Sequence, residues 1–239
     1  MKAQAPRAAW EAEGEEKRAA VRRLFADIAP TYDLLNGVMS LSRHRPWRRF
    51  ALRGLALRPG DRALDVCCGT GDFMVELRRA VGAEGRVVGV DFCLPMLDIA
   101  RRKNAGELVI GDACALPFRD KSFDAVTVGW GLRNVPDIDA AHREIARVLK
   151  PGGRFVSLDM AHPRGRFARW VSDLFFHKGV PVLGTLFGKR EGYTYLPLSI
   201  DRFLSREELA ASMELAGLAE VRTRDLMFGS LCIHWGRKP

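Results

Sequence analysis

The stretch Asp65-Val66-Cys67-Cys68-Gly69-Thr70-Gly71-Asp72 decides the fold of this 239-residue chain. A short apolar strand is predicted at 62–67, ending within this stretch, and a helix after it, at 73–81. Glycine lets the backbone turn tightly and lets a ligand approach the main chain, and the start of a helix offers free N–H groups. The stretch therefore predicts a strand–turn–helix unit that can bind a ligand at the turn.

Strands and helices alternate on the carboxyl side of that unit. Helices are predicted at 94–103 and 138–149, the second closed by Lys150-Pro151-Gly152-Gly153. Further strands are predicted at 86–91, 108–111, 123–129, 154–159, 220–226 and 230–235, the last two as an antiparallel hairpin. Such alternation is typical of βαβ units. We expect an α/β, Rossmann-like fold with a seven-stranded, mostly parallel sheet and helices on both faces.

The domain organisation follows from length and local composition. Residues 15–239 are expected to form one domain after a flexible, polar tail at 1–14. An N-terminal helical cap is predicted at 15–60. An apolar and aromatic insertion at 161–204, before the last strands, is expected to cover the sheet, part as helix and part as loop.

Local signals mark several helix boundaries. In the N-terminal cap, Pro30 is expected to end the first helix, and a second helix is predicted at 46–57. After the insertion, Ser205 and Glu208 have the spacing of a capping box at the start of a helix. Gly217 is placed to end that helix, because glycine is favoured just past a helix C-terminus.

Composition limits the class of protein and its partners. The net charge of +9 suits nucleic acid or an anionic membrane, although arginine-rich genome composition explains it equally well. No apolar run approaches the roughly 20 residues of a membrane span, and no signal peptide is recognisable, so a cytoplasmic protein is expected. The five cysteines include the adjacent pair Cys67-Cys68 but no metal-ligand spacing, so no metal site is expected.

The glycine-rich turn indicates a nucleoside site. Asp91 ends the next strand about 20 residues on, where a carboxylate accepts hydrogen bonds from ribose hydroxyls. The dinucleotide fingerprint needs a third glycine where this chain has Met74, which disfavours a pyrophosphate. Asp65 also fits poorly beside a phosphate and better beside a cationic ligand, such as one with a methionine amino group. S-adenosylmethionine is therefore favoured over NAD, and a purely structural turn is the alternative.

Two further strand ends belong to the same crevice. Asp112, in Gly111-Asp112-Ala113, is placed to accept from an adenine amino group, with the Ala113 N–H facing the ring. The alternative for Asp112 is a helix-capping role. Gly129-Trp130-Gly131 follows the next strand and is expected to flank the ligand beside its sulfonium.

Three separated motifs carry a resemblance to a known family. They are Tyr32-Asp33-Leu34-Leu35-Asn36 followed by His44 and Trp47, then Gly131-Leu132-Arg133-Asn134-Val135, and Tyr193-Thr194-Tyr195-Leu196-Pro197-Leu198-Ser199-Ile200. With the general features 64–72, Asp91, 116–118 and 148–153, the chain resembles the C-methyltransferases of menaquinone and ubiquinone biosynthesis. The match runs from about Val21 to the C-terminus, and Cys67-Cys68 is more like the demethylmenaquinone methyltransferase branch.

The resemblance implies a reaction and a ligand set. It implies S-adenosylmethionine-dependent C-methylation of a polyprenylated quinol ring, most similar to conversion of demethylmenaquinol to menaquinol. It places contacts to S-adenosylmethionine at Thr70, Asp91, Asp112 and Ala113. Family members often have serine where this chain has Gly129, so that side-chain contact is in doubt.

Five side chains are candidates for assisting the proton loss that makes the acceptor ring a nucleophile: Tyr32, Asp33, His44, Arg133 and Asn134. Arg133 is a poor base but a good stabiliser of a phenolate, or a holder of a water that takes the proton. His44 has a suitable pKa, or is a surface histidine in the basic cluster 43–49. Tyr32 is alternatively a packing residue of the N-terminal helices, and Asn134 a helix cap.

Partners follow from the same reasoning. The prenyl tail of such an acceptor needs an apolar channel. The candidate channel residues, which are alternatively ordinary core residues, are Phe167, Trp170, Phe175, Phe176, Leu183, Leu186 and Phe187. Arg164, Arg166 and Arg169, with the cluster 43–49, suit peripheral contact with anionic lipid on the inner membrane face. No nucleic acid is expected, since there is no base-methylation motif. Alternative acceptors are a ubiquinone precursor, another phenol or RNA. A non-catalytic binding protein is the alternative from another functional class, and the chain is a possible homo-oligomer.

Overall fold

β1 (Arg62–Val66) lies in the interior of the sheet in the computed structural model, which describes residues 14–186 and 190–239. The other strands are β2 Arg86–Asp91, β3 Glu107–Ile110, β4 Phe123–Gly129, β5 Leu149–Met160, β6 Ala219–Leu226 and β7 Leu231–Arg237. Their order is β3-β2-β1-β4-β5-β7-β6, and the seven strands form one sheet. β1 to β5 pair in parallel, and β7 is antiparallel to both β5 and β6. The predicted sheet and its terminal hairpin are confirmed.

Helices cover both faces of this sheet. They are α1 Gly14–Met39, α2 His44–Arg53, α3 Asp72–Val81, α4 Leu94–Lys103, α5 Ile138–Val148, α6 Arg166–Leu174, α7 Val180–Leu186, α8 Arg190–Asp201 and α9 Arg206–Leu215. α2 and α3 pack on one face through buried residues such as Ala51 and Leu77. α5 and α9 pack on the other through Ile145 and Met213. Strands buried on both faces explain the continuous apolar runs in the sequence.

The course of α1 corrects the expectation that Pro30 ends it. α1 begins at Gly14, inside the predicted tail, and continues through Pro30 to Met39. Pro30 removes one backbone donor, but the helix buries residues on both sides of it, including Ile28 and Leu35, against α4 and α8. Tertiary burial therefore outweighs the local break. The rest of the predicted tail, 1–13, lies outside the described residues.

Two other boundaries differ from the prediction. α2 starts at His44, with Pro46 in its first turn, where the missing N–H has no helical partner to lose. β5 begins at Leu149, directly after α5, rather than at Arg154. Leu149 pairs with Phe123, and the Pro-Gly-Gly stretch forms an irregularity inside the strand rather than a separate turn. The helix after Ser205 has the predicted capping box with Glu208.

The insertion is mostly helical where the structure describes it. It contains α6, a π-helical turn at Phe175–Gly179, α7 and α8. Tyr193 and Tyr195 of α8 pack against α1 in a separate core cluster, so much of the insertion covers α1 rather than the sheet alone. Phe187, and the side chains of Leu183 and Leu186, lie outside what the structure describes.

Candidate active site

A cavity of about 250 Å³ opens at the carboxyl ends of β1, β2 and β4. This donor cavity brings together five of the predicted cofactor residues: Gly69, Asp91, Asp112, Ala113 and Gly129. Ligands of open, parallel sheets bind in this crevice, where the strand order reverses from β1 to β4. The location therefore suits the nucleoside ligand that the sequence indicates.

Asp91 is a buried carboxylate of the donor cavity that is held by two backbone hydrogen bonds. Its Oδ2 accepts a hydrogen bond from the Gly69 N–H at 2.8 Å, and its Oδ1 accepts one from the Cys93 N–H at 2.9 Å. Burial raises the pKa of Asp91, while these backbone donors lower it. The carboxylate thereby fixes the glycine turn and keeps lone pairs for ribose hydroxyls.

The glycine turn leaves room for a ligand at its first glycine. Gly69 has a φ of +52°, and a Cβ added there would meet nothing within 4 Å. A nucleoside fits a cradle with an open backbone at Gly69 and with the carboxylates of Asp91 and Asp112 in its wall. The residues present therefore fit S-adenosylmethionine.

Three predicted cofactor residues lie outside the wall of the donor cavity. Gly71 is the N-cap of α3, and the Thr70 hydroxyl donates to Asp33 at 2.6 Å. Asp65 is buried, accepts a hydrogen bond from Thr127 at 2.6 Å, and its pKa is raised to about 7, chiefly by burial. Direct contacts between the ligand and these three residues remain predictions.

The first turns of α1 form a roof over the donor cavity that sequence reasoning missed. The Arg18 Nε lies 2.8 Å from the Asp112 Oδ2, and the Lys17 ammonium donates to the Val135 carbonyl at 3.1 Å. Glu15 and Arg22 also line the cavity. Charged residues on one face of an amphipathic helix are normally solvent-exposed. The sequence pattern therefore did not indicate that these residues of α1 lie over the donor cavity.

Gly129 has a steric reason to be glycine. A Cβ added at Gly129 would lie 2.6 Å from two ring carbons of Phe73. The serine that resembling proteins often have at this position would therefore require Phe73 to move. The aromatic ring occupies the space of that side chain in this protein.

A second cavity, of about 120 Å³, adjoins the first. The two cavities share Phe25, Tyr32 and Trp130 as a common wall. The apolar residues of this acceptor cavity include Leu24, Ile28, Met39, Trp47, Met160, Phe175, Phe176, Leu196, Met227 and Leu231. Of the candidates for a prenyl channel, Phe175 and Phe176 lie here, whereas Phe167 and Trp170 are exposed at 76% and 61%.

Arg133 is the buried cation that the motif predicts for this site. Its Nη1 donates to the Asp159 Oδ1 and to the Trp130 carbonyl, both at 2.7 Å. Its Nε makes no hydrogen bond within the described chain. Arg133 lines the acceptor cavity, but Asp159, on β5, holds it from behind. Nothing in the sequence near Arg133 pointed to Asp159, because β5 supplies it from 26 residues away.

His44 lies in the wall of the acceptor cavity and not on the surface. It is 7% exposed, and its Nδ1 shares a 2.6 Å hydrogen bond with the Ser40 hydroxyl. Burial, followed by the nearby Arg48 guanidinium, lowers the pKa of His44, so the imidazole is neutral at pH 7. A neutral imidazole beside a hydroxyl group of a bound ligand can take the proton of that hydroxyl.

The remaining candidates are divided between the two cavities and the scaffold. Tyr32 lines both cavities, and burial raises its pKa. Asn134 lines the donor cavity, donates to the Trp130 carbonyl, and accepts from the Tyr195 hydroxyl at 2.9 Å. Asp33 lines neither cavity and forms an ion pair with Lys103 at 2.8 Å. Asp33 is therefore not placed to contact a ligand in the acceptor cavity, because Thr70 and Lys103 bind its carboxylate oxygens.

Metal and thiol chemistry have no assembled site in the described residues. No group of three or more metal-ligating side chains occurs within 14–186 and 190–239. All five cysteines are free, and burial raises the pKa of both Cys67 and Cys68 well above the usual range. These two thiols are therefore protonated and act as small packing groups.

Comparison with known proteins agrees with this geometry. The profile of the ubiE/COQ5 methyltransferase family matches residues 12–238. Demethylmenaquinone methyltransferase of Staphylococcus aureus (strain COL) is 42% identical over 232 residues, covering 95% of this chain and 96% of that protein.

Solved structures show the same fold at low identity. A SAM-dependent methyltransferase of Thermotoga maritima has a TM-score of 0.66 and 22% identity, covering 91% of this chain and 99% of that one. One from Aquifex aeolicus has a TM-score of 0.58 and 20% identity, covering 80% and 89%. The predicted fold class is thus confirmed, as is the family resemblance read from the three motifs. On the profile match and the curated relative, the chain belongs to the ubiE/COQ5 methyltransferase family.

Proposed function

We propose that this protein transfers a methyl group from S-adenosylmethionine to a ring carbon of demethylmenaquinol. The observation that carries the proposal is the pair of adjoining cavities with Tyr32 and Trp130 in their common wall. One cavity has the Asp91 and Asp112 carboxylates in its wall, which suit the hydrogen-bond donors of a nucleoside, and the other is largely apolar with the buried cation Arg133. The Staphylococcus aureus relative, named demethylmenaquinone methyltransferase, supports this choice of acceptor.

Within this proposal, the chain's residues make the acceptor nucleophilic. S-adenosylmethionine supplies an electrophilic methyl group on a sulfonium. Arg133 favours the phenolate form of the nearby ring hydroxyl, because a guanidinium stays charged. His44, which is neutral, accepts the hydroxyl proton. The ring carbon then forms the new C–C bond as the C–S bond breaks, and it loses its hydrogen as a proton to restore the aromatic ring.

Quinone profiling tests this function in cells. A strain that lacks the protein should accumulate the demethylated quinone, and the wild-type chain should restore the methylated one. Arg133→Met should fail to restore it, whereas Arg143→Met, at an exposed position on α5, should succeed. A deletion strain with an unchanged quinone profile would contradict the proposal.

We further propose that the protein binds membranes peripherally, through a docking surface formed by α6 and the turn Met227–Gly229. No residue of α6 is buried, and Phe167, Trp170 and Leu174 expose 76%, 61% and 45% of their surface. Phe228 is 93% exposed. Isolated exposed apolar residues are common, but an apolar patch of this extent marks an interaction site.

The position of this surface favours lipid as its occupant. Phe175 and Met227, which line the acceptor cavity, are themselves 37% and 44% exposed, so the docking surface is continuous with the mouth of the cavity. A prenyl tail could then pass from the bilayer into the acceptor cavity without crossing water. Arg166 and Arg169 on α6 are exposed and suit anionic headgroups, each contributing about 1 kcal/mol.

The cluster 43–49 contributes less to this surface than the sequence indicates. His44, Trp47 and Arg48 are buried, and Arg49 is bound to Glu76 at 3.1 Å. Among the described residues, Arg43 and Arg45 are the cations of this cluster left exposed without an ion pair to another element. In the described ranges, no helix has the length and apolar character needed to cross a bilayer.

Vesicle co-sedimentation tests the docking surface. Trp170→Ala removes an indole of which 61% is exposed, worth about 2 to 4 kcal/mol if it enters the lipid. Binding should fall accordingly, and should also fall with salt and without anionic lipid. Leu215→Ala, at an 85% exposed apolar position on α9, is the matched control and should bind normally. Equal binding by both variants would overturn this surface.

A further inference from the structure

Arg48 is a second buried cation in the acceptor cavity, and the chemistry described above leaves it without a role. It lies on α2, lines the cavity, and only 8% of its side chain is exposed. Its Nη2 lies 3.2 Å from the Asp72 Oδ2, and its Nη1 donates weakly to the His44 carbonyl at 3.4 Å. Burial lowers the pKa of Arg48, with Asp72 opposing, but a guanidinium remains charged.

One donor of the Arg48 guanidinium is left unsatisfied by the described residues. Its Nε is buried and makes no hydrogen bond within the described chain. Asp72, its counter-ion, is shared with Lys103, whose ammonium lies closer, at 2.5 Å. The unsatisfied donor therefore indicates a partner that the chain itself does not supply.

Arg48 and Arg133 are arranged alike around one residue. The Arg48 guanidinium lies 4.6 Å from the centroid of the Trp130 ring, and Arg133 donates to the Trp130 carbonyl. Each arginine is paired with one aspartate, Asp72 or Asp159, and the Nε of each has no hydrogen-bond partner among the described residues. Neither aspartate lines the acceptor cavity, and no other carboxylate among the described residues does. The cavity thus presents two cationic donors and an otherwise largely apolar wall.

We propose that Arg48 binds the second oxygen of the acceptor, the one para to the oxygen at Arg133. A 1,4-dihydroxylated ring carries two oxygens on opposite sides of an apolar body, which matches two separate donors in an apolar cavity. This inference rests on the proposed function, since it takes a quinol as the acceptor. It makes Arg48 a specificity-determining residue that distinguishes a dihydroxylated ring from a simple phenol.

A binding cycle tests the contact directly. The two probes are a short-chain 3-prenyl-1,4-dihydroxynaphthalene and its analogue without the 4-hydroxyl, both kept reduced and titrated in detergent with S-adenosylhomocysteine present. The wild type should bind the dihydroxy probe about 10- to 150-fold more tightly, the range for a hydrogen bond to a charged group. In Arg48→Met the two probes should bind with equal affinity. Arg53→Met, at the exposed end of α2, is the control and should keep the wild-type ratio.

The outcomes separate this inference from the proposed function. An Arg48→Met variant that retains the wild-type ratio of the two affinities overturns the role of Arg48, even if overall binding falls. Arg48→Lys keeps a charge without the Nε donor, so it covers the case in which the methionine variant does not fold, and its ratio should fall to an intermediate value. Failure of the wild type to methylate the dihydroxy probe would contradict the proposed function instead, and the affinity ratio would still report on Arg48.

Discussion

Replacement of Asp91 by asparagine should weaken binding of S-adenosylmethionine without unfolding the protein. Asp91 uses one oxygen for the Gly69 N–H and the other for the Cys93 N–H, and the ligand's ribose hydroxyls would add donors to the same carboxylate. In Asp91→Asn one oxygen becomes an NH₂ group, which faces a backbone donor and cannot accept from ribose. Loss of one charged hydrogen bond costs about 1.5 to 3 kcal/mol, a rise in Kd of about 10- to 150-fold.

Two opposing effects should leave the unliganded protein nearly as stable as the wild type. Burial raises the pKa of Asp91, so a neutral amide relieves the cost of a buried charge. The same change removes one hydrogen bond to the glycine turn. Calorimetric titration and thermal unfolding together measure both quantities. Asp98→Asn, an exposed carboxylate on α4, is the charge-matched control. Unchanged affinity in Asp91→Asn, or an equal loss in Asp98→Asn, would refute the assignment.

Two further predictions concern the scaffold beneath the site. Asp65 has a pKa of about 7 in the folded state against 3.8 unfolded, so its contribution to stability is greatest at low pH and is lost as the pH rises toward 7. Urea unfolding should therefore show Asp65→Asn gaining about 2 to 3 kcal/mol over the wild type between pH 5 and pH 8, and a constant difference would contradict this. Gly129→Ser should cost about 1 to 3 kcal/mol through its clash with Phe73, and the cost should disappear in a Phe73→Ala background. A cost that persists in that background would mean that Phe73 is not the obstacle.

Local sequence signals were sufficient for the elements that position the donor cavity. The predicted bounds of β2, α4 and β4 agree with the structure residue by residue. Each of these elements has a regular apolar pattern and a glycine, proline or asparagine near one end, so its limits depend on nearby residues alone. Asp91 and Gly129 end two of these strands, which is why both were found.

Features that depend on tertiary packing could not be read in the same way. The break expected at Pro30 was wrong because burial of α1 against α8 outweighs one missing hydrogen bond. The pairing of Arg133 with Asp159 depends on how the turn after β4 meets β5, which no local pattern encodes. The partner of Asp65 is different, because Thr127 is its neighbour in the register of β1 and β4 once those strands are placed side by side.

The burial of Arg48 was indicated by the helical period of the sequence, but the many arginines nearby pointed to an exposed segment. His44, Trp47, Arg48, Ala51 and Leu52 follow the spacing of a buried helical face, and all five are buried. Four arginines within seven residues indicated a solvated cluster instead. A cation at a position where the helical period demands burial is therefore a useful sign of a ligand site.

The most direct test of the central claim is methyl transfer to a defined acceptor. The purified protein would be incubated anaerobically with S-adenosylmethionine carrying a deuterated methyl group and with a short-chain demethylmenaquinone, either reduced or oxidised. The label should appear on a ring carbon of the reduced acceptor and not on the oxidised one, because only the quinol can form the phenolate that Arg133 is proposed to stabilise. Label on a ring oxygen, equal labelling of both forms, or no transfer to either would contradict it.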